Sequence, residues 1–210
     1  MKKVCIVNSS LAYHMLFTSY GFEVVDYVLD DKLQPVDLLV FTGGADVSPG
    51  LYGHPEHRTT YNDVYRDQRE AQIFENAILH NIPMVGICRG GQFLNVMSGG
   101  EMYQDVGGHG MPHEITDLVT GETVYVSSTH HQMMKPSSKG LLVASSHIGG
   151  YREHWDGGIF KRETSEQDVE VVFYEDTRSL CFQPHPEFTS PEYLGMHVYF
   201  RSLLERYLGI

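Results

Sequence analysis

Cys88 lies where a short apolar run, Pro83-Met-Val-Gly-Ile87, meets a glycine-bearing turn, Arg89-Gly-Gly-Gln92. Apolar residues then recur at helical spacing in Phe93-Leu-Asn-Val-Met97, until Gly99-Gly100 stops them. The pattern predicts a buried strand, a sharp turn and a helix, with Cys88 in the bend. A nucleophile elbow holds its reactive side chain in this way. Gly86 and Gly90 make room for crowded backbone at such a bend, and the helix start puts partial positive charge just beyond the sulfur. A buried structural cysteine has the same local signature. Catalysis therefore requires a base and an oxyanion hole from elsewhere in the chain.

Among twelve histidines, His185 has the strongest argument as that base. It sits in Gln183-Pro-His-Pro-Glu187, directly after a predicted strand, and two prolines stiffen the segment. In an extended segment, residues two apart point to the same side, so Glu187 can meet the His185 ring and hold one tautomer. The backbone N–H of Arg89, just after the cysteine, is one candidate donor to an oxyanion. The glycine turn Thr42-Gly-Gly44, at the end of another strand, is the second, although a plain turn has the same sequence.

These residues need a scaffold that brings strand ends together. Residues 3–8, 22–28 and 36–41 read as buried strands, with a helix near 10–20. Residues 47–63 read as a long loop and 65–80 as a helix, followed by the cysteine strand and its helix. This alternation predicts an α/β fold with a mostly parallel sheet covered on both faces, whose sites sit at the carboxyl ends of strands. From 101 to 185 the pattern turns β-rich, with pieces near 122–127, 141–146, 158–161 and 169–174. A small antiparallel extension is expected there, returning to the main sheet at 179–183. Ser190-Pro191 marks the N-terminus of a last helix, expected to run to about 208.

The chain of 210 residues, 41% hydrophobic and 20% charged, reads as one globular domain spanning 1–210. Its formal net charge of -12 argues against nucleic acid or an anionic membrane surface as partner. Three widely spaced cysteines, Cys5, Cys88 and Cys181, suggest a reducing, cytoplasmic setting rather than a disulfide framework. His109, His113, His130 and His131 show no compact ligand spacing, so no metal is expected. Arg66, Asp67 and Glu70, at the start of one helix, read as an ion-pair set bracing the long loop. Tyr151 to Gly158, with the only tryptophan, reads as a surface turn.

Taken together, Gly86-Ile-Cys-Arg-Gly-Gly-Gln92 and His185-Pro-Glu187 resemble the class I glutamine amidotransferase superfamily. Thr42-Gly-Gly-Ala-Asp-Val47, Leu51-Tyr-Gly53, Arg66-Asp67 with Glu70, Leu94-Asn-Val96, Gly99-Gly100, Tyr103-Gln-Asp105 and Thr129-His-His-Gln132 resemble its gamma-glutamyl-gamma-aminobutyrate hydrolase branch. The resemblance implies a flavodoxin-like three-layer fold and a Cys88–His185–Glu187 triad. It also implies oxyanion donors at Gly44 and Arg89, and glutamyl-binding residues Gln92 and His131. The implied reaction is hydrolysis of a small gamma-glutamyl amine through a thioester, with no cofactor. Two rivals remain: a glutaminase that passes ammonia to a synthase partner, and a non-catalytic binding protein on the same scaffold. A homodimer is left open. Gly91, where a larger apolar residue is usual, and Pro184, where tryptophan is usual, suggest a reshaped pocket.

Overall fold

A computed structural model describes residues 1–26 and 35–210. The first half alternates as the sequence implies: β1 (Lys3–Val7), α1 (Leu11–Ser19), β2 (Glu23–Asp26), β3 (Leu38–Phe41), α2 (Val64–Leu79), β4 (Met84–Ile87) and α3 (Arg89–Met97). Residues 27 and 28 of the expected second strand lie outside the described residues. Helix α2 starts at Asp63, whose side chain accepts the Arg66 N–H, an N-cap that satisfies one of the free donors of the first turn. Within the long loop, Pro49–Tyr52 forms a single 3-10 turn.

The β-rich half is more finely divided than its sequence pattern suggests. It contains β5 (Glu101–Tyr103), β6 (Asp105–Val106), β7 (His113–Asp117), β8 (Thr123–Val126), β9 (Met133–Lys135), β10 (Leu141–Ser146), β11 (Gly150–Asp156), β12 (Ile159–Ser165), β13 (Asp168–Tyr174) and β14 (Ser179–Phe182). The expected surface turn at 151–158 is corrected: most of it is β11, paired with β12 across the left-handed glycines Gly157 and Gly158. Paired glycines at positive φ are what a tight hairpin requires. The last helix is also corrected at its start. Pro191–Tyr193 is a 3-10 turn, the Ser190 side chain makes no capping bond, and α4 runs over Leu194–Leu203 before a final wider turn to Leu208.

A nine-stranded sheet in the order β2-β1-β3-β4-β14-β13-β10-β7-β8 forms the centre. The first five strands are parallel; the remaining four continue the same sheet antiparallel. The antiparallel region thus supplies four of the nine strands of a mostly parallel main sheet, with β12-β11-β6 and β5-β9 as separate small sheets. Alternate side chains of β1 and β3 enter different cores. Val4, Ile6, Leu38 and Val40 pack with α1 and α4, while Cys5, Val7, Leu39 and Phe41 pack with α2 and α3. A sheet buried on both faces explains why these strands are continuously apolar.

This order places β4 between β3 and β14, with Phe41 opposite Gly86 and Phe182 opposite Ile87. The segments that follow these strands carry Gly43-Gly44, Cys88 and His185 respectively. Their neighbourhood demands close backbone approach. A Cβ on Gly90 would fall well inside contact with the Phe41 carbonyl, and one on Gly86 inside the Gly90 carbonyl. Gly90→Ala should therefore cost about 3 kcal/mol or more in urea denaturation, because two backbones must separate. Gly110→Ala, with open space around its Cβ position, should stay within about 0.5 kcal/mol. Equal effects for the two variants would refute this account of the elbow.

Candidate active site

Cys88 has φ 52° and ψ -114°, a left-handed conformation that costs a non-glycine residue of order 1–3 kcal/mol and needs surrounding structure to hold it. It is the hinge between β4 and α3, and it is 8% exposed. Its Sγ accepts a hydrogen bond from Gln183 Nε2 at 3.7 Å. Arg89 opens the helix, so its backbone N–H has no carbonyl one turn back to bond.

His185 lies just beyond the end of β14. Its backbone N–H donates to Ser127 Oγ at 2.9 Å, and its Nδ1 meets Glu187 Oε1 at 2.7 Å. The ring stacks on Phe188, with centroids 4.9 Å apart and an interplanar angle of 12°. Burial alone disfavours the imidazolium, but hydrogen bonds with Cys88 and Glu187 outweigh it and push the His185 pKa up to about 10. Glu187 is thus hydrogen-bonded to His185, whose pKa is also raised by the neighbouring Cys88. Tyr13 adds a residue that sequence reasoning missed. Burial, followed by the Glu187 charge, pushes its pKa far up, so its hydroxyl stays a donor beside Glu187, while it accepts the Gly43 N–H at 3.1 Å. The weak periodicity of α1 carries no signal of this contact.

The glycine turn lies against the same group. A Cβ on Gly43 would sit 3.2 Å from His185 Cε1 and 3.7 Å from Cys88 Cβ. Gly44, at φ 141°, lies against the Arg66 guanidinium. Arg66 donates to the Gly43 carbonyl at 3.0 Å, to the Thr42 carbonyl at 2.8 Å and to Glu70 at 2.8 Å. Behind it, Arg89 is paired with both Asp67 and Glu70 in full burial. Asp67 also accepts the Ser48 N–H at 2.9 Å. The acidic pair on α2 is therefore a brace, as its spacing suggests, holding the glycine turn and the long loop.

The two expected glutamyl-binding residues have different placements. Gln92 is buried, and its Nε2 donates to the Gln132 carbonyl at 3.1 Å and to Gln183 Oε1 at 3.2 Å. Its backbone N–H donates to the Cys88 carbonyl at 3.0 Å, while its side chain reaches the Cys88 sulfur through Gln183, a residue its position at a strand end could have flagged. The His131 ring is held by Asp46 at 3.2 Å and Asp105 at 3.4 Å. Hydrogen bonding with Asp46 raises its pKa despite partial burial. Gly91 corrects an expectation: its Cβ position lies 3.0 Å from the Phe182 N of β14. Glycine there serves helix–sheet approach, not pocket volume.

Residues 24–117 match the Peptidase C26 family. A Lactococcus lactis protein, named as glutamine amidotransferase-like, is 33% identical over 201 residues, covering 83% of this chain and 78% of the relative. The carbamoyl phosphate synthase small chain of Campylobacter jejuni is 25% identical over 201 residues, covering 94% of this chain and 48% of that one. The solved structure of PurLQS from Thermotoga maritima superposes with a TM-score of 0.65 at 20% identity, covering 98% of this chain and 99% of that chain. At that identity the likeness speaks for the fold.

The raised His185 pKa has a testable sign. His185 binds its proton more tightly folded, at about 10, than unfolded, near 6.5. Its contribution to stability is therefore complete below about pH 6.5 and lost as pH rises through about 10. NMR titration of the His185 ring should show a midpoint well above neutrality, moving down in Cys88→Ala and in Glu187→Gln. A midpoint near 6.5 in the unaltered protein would contradict the ion-pair arrangement.

Proposed function

The chain belongs to the class I glutamine amidotransferase-like superfamily, and from that premise we propose that it hydrolyses the gamma-glutamyl amide of a small amine. Membership makes it a cysteine-type amidohydrolase or glutaminase. The observation that supports cysteine-dependent amide cleavage is the left-handed Cys88 beside a His185 that Glu187 orients; the small-amine leaving group follows from the resemblance of Thr42–Val47 and Thr129–Gln132 to the hydrolase branch.

In this mechanism Cys88 Sγ attacks the amide carbonyl carbon and the carbonyl π electrons move to oxygen. The N–H groups of Gly44 and Arg89 stabilise that oxyanion. As the C–N bond breaks, His185 gives its Nε2 proton to the leaving amine, and a thioester remains on Cys88. Water then attacks the thioester and passes a proton to His185. The C–S bond breaks, releasing glutamate and freeing the Cys88 sulfur with the proton back on His185. Glu187 holds the ring throughout and keeps Nδ1 protonated. Gln92 supports the pocket through Gln183. His131, with Asp46 and Asp105 beside it, offers both charge signs needed for the amino and carboxylate ends of a glutamyl group. Nucleophile, base and donors all come from the chain, so the reaction calls for no cofactor.

A second reading is favoured by the carbamoyl phosphate synthase small chain among the relatives. In it the chain is a glutaminase that delivers ammonia to a separate synthase partner. Glutamate release by the purified protein alone separates the two. Rapid turnover of one gamma-glutamyl amine, with glutamine poor, supports the hydrolase. Slow turnover of glutamine only, accelerated by a co-purified partner, supports the glutaminase. Either activity should fall by roughly 10⁴-fold or more in Cys88→Ala. Full activity in that variant would sink both.

A further inference from the structure

Three buried side chains each have one polar atom without a hydrogen-bond partner: His109 Nδ1, which lies 3.5 Å from Glu170 Oε1, His130 Nε2 and Glu170 Oε2. Orphaned buried polar atoms are costly, so three in adjoining residues call for an explanation. The residues converge: one donor atom from each lies within 4.8 Å of the others. A tetrahedral ion with bonds of ~2.1 Å needs donors roughly 3.4 Å apart, a contraction that side-chain rotation can supply.

The opposite atom of each residue is already held. His130 Nδ1 bonds the Gln132 carbonyl at 2.8 Å. His109 Nε2 lies 3.3 Å from Asp168 Oδ2. Glu170 Oε1 accepts from Ser146 Oγ at 2.9 Å and lies 2.9 Å from His113 Nε2. A carbonyl or carboxylate behind each imidazole, and donors behind the carboxylate, are how protein ligands are oriented toward a metal. Asp168 already has Arg152 as counter-ion at 3.0 Å, whereas imidazoles and one hydroxyl surround Glu170. A cation is the group that would satisfy two imidazole nitrogens and a carboxylate oxygen together.

We propose that His109, His130 and Glu170 form a buried binding site for a divalent transition metal of the zinc class. Two imidazoles and a carboxylate suit zinc, and three protein ligands leave one position of a tetrahedral shell open. The ligands come from the β6–β7 loop, the segment before β9, and β13. The ion would therefore tie three separate stretches together, which is why no compact spacing announces it. The site shares no residue with Cys88, His185 or Glu187, so the proposal does not rest on the reaction assigned to Cys88.

The test uses the full chain, freed of metal by a chelator and titrated with zinc chloride by calorimetry. One zinc per chain is expected, with X-ray absorption showing nitrogen and oxygen ligation and no sulfur. His130→Gln and Glu170→Gln should each weaken uptake by more than about 100-fold. Asp168→Asn, which removes an outer partner, should weaken it by ~10–100-fold. Cys88→Ser should bind zinc as the unaltered protein does. Absence of tight uptake, sulfur ligation, or uptake that survives His130→Gln in a folded variant overturns the proposal. If that variant does not fold, stoichiometry and absorption on the unaltered chain still decide.

Discussion

Everything near the reactive end of the sheet depends on holding Cys88 at a positive φ. A left-handed cysteine is unfavourable in isolation, and the bend persists because its alternatives are blocked. Gly86 and Gly90 bring the strand end and first helical turn into backbone contact, with the Phe41 carbonyl against Gly90. Gly91 does the same against β14. With three close approaches in six residues, α3 cannot rotate or slide without collision, and the sulfur is held at the meeting point of β3, β4 and β14.

The second restraint is electrostatic and comes from α2. Asp67 and Glu70 face Arg66 and Arg89, two negative charges against two positive, almost wholly removed from water. Burying such a set costs several kcal/mol in desolvation, so its net worth lies less in stability than in geometry. Arg89 ties the start of α3 to α2, and Arg66 ties α2 to the carbonyls of Thr42 and Gly43. With those carbonyls engaged by Arg66, the orientation of the peptide between Gly43 and Gly44 is constrained too. The helix next to the long loop thereby sets the turn and the elbow relative to each other.

These dependencies divide what the sequence reveals from what it hides. The parallel half was readable because strands buried on both faces are continuously apolar and glycines mark the turns. His185 and Glu187 were readable as partners because two prolines frame them at a strand end, but they meet across a turn at Pro186–Glu187, closed by the Phe188 N–H on the His185 carbonyl at 3.2 Å, and not along the extended segment expected. β5, β6 and β9 have only two or three residues each, too few for alternation to register. β11 carries Arg152, Glu153 and His154 where a surface turn would. Arg152 and Glu153 are buried because they answer opposite charges, Asp168 for Arg152 and Arg162 for Glu153. Tyr13 was invisible for a related reason: a lone hydroxyl contact across 30 residues of sequence leaves no period. Local pattern records hydrophobic burial well and polar burial hardly at all.

Polar burial is nevertheless what connects the two ends of this half of the molecule. The Gln132 carbonyl accepts from Gln92 Nε2 and also meets His130 Nδ1. Gln92 holds Gln183, whose amide donates to the Cys88 sulfur. Gln183 is also fastened by its backbone, donating its N–H to the Glu170 carbonyl at 2.9 Å. Glu170 and His130 therefore reach the surroundings of Cys88 by two routes, one through backbone pairing and one through amide side chains. In a buried network each bond aligns its neighbours, so loosening one end is felt along the series. An ion at His109, His130 and Glu170 would anchor the far end of both routes. It would act on the sulfur without touching it, by limiting how far Gln183 can drift from the strand end that carries His185.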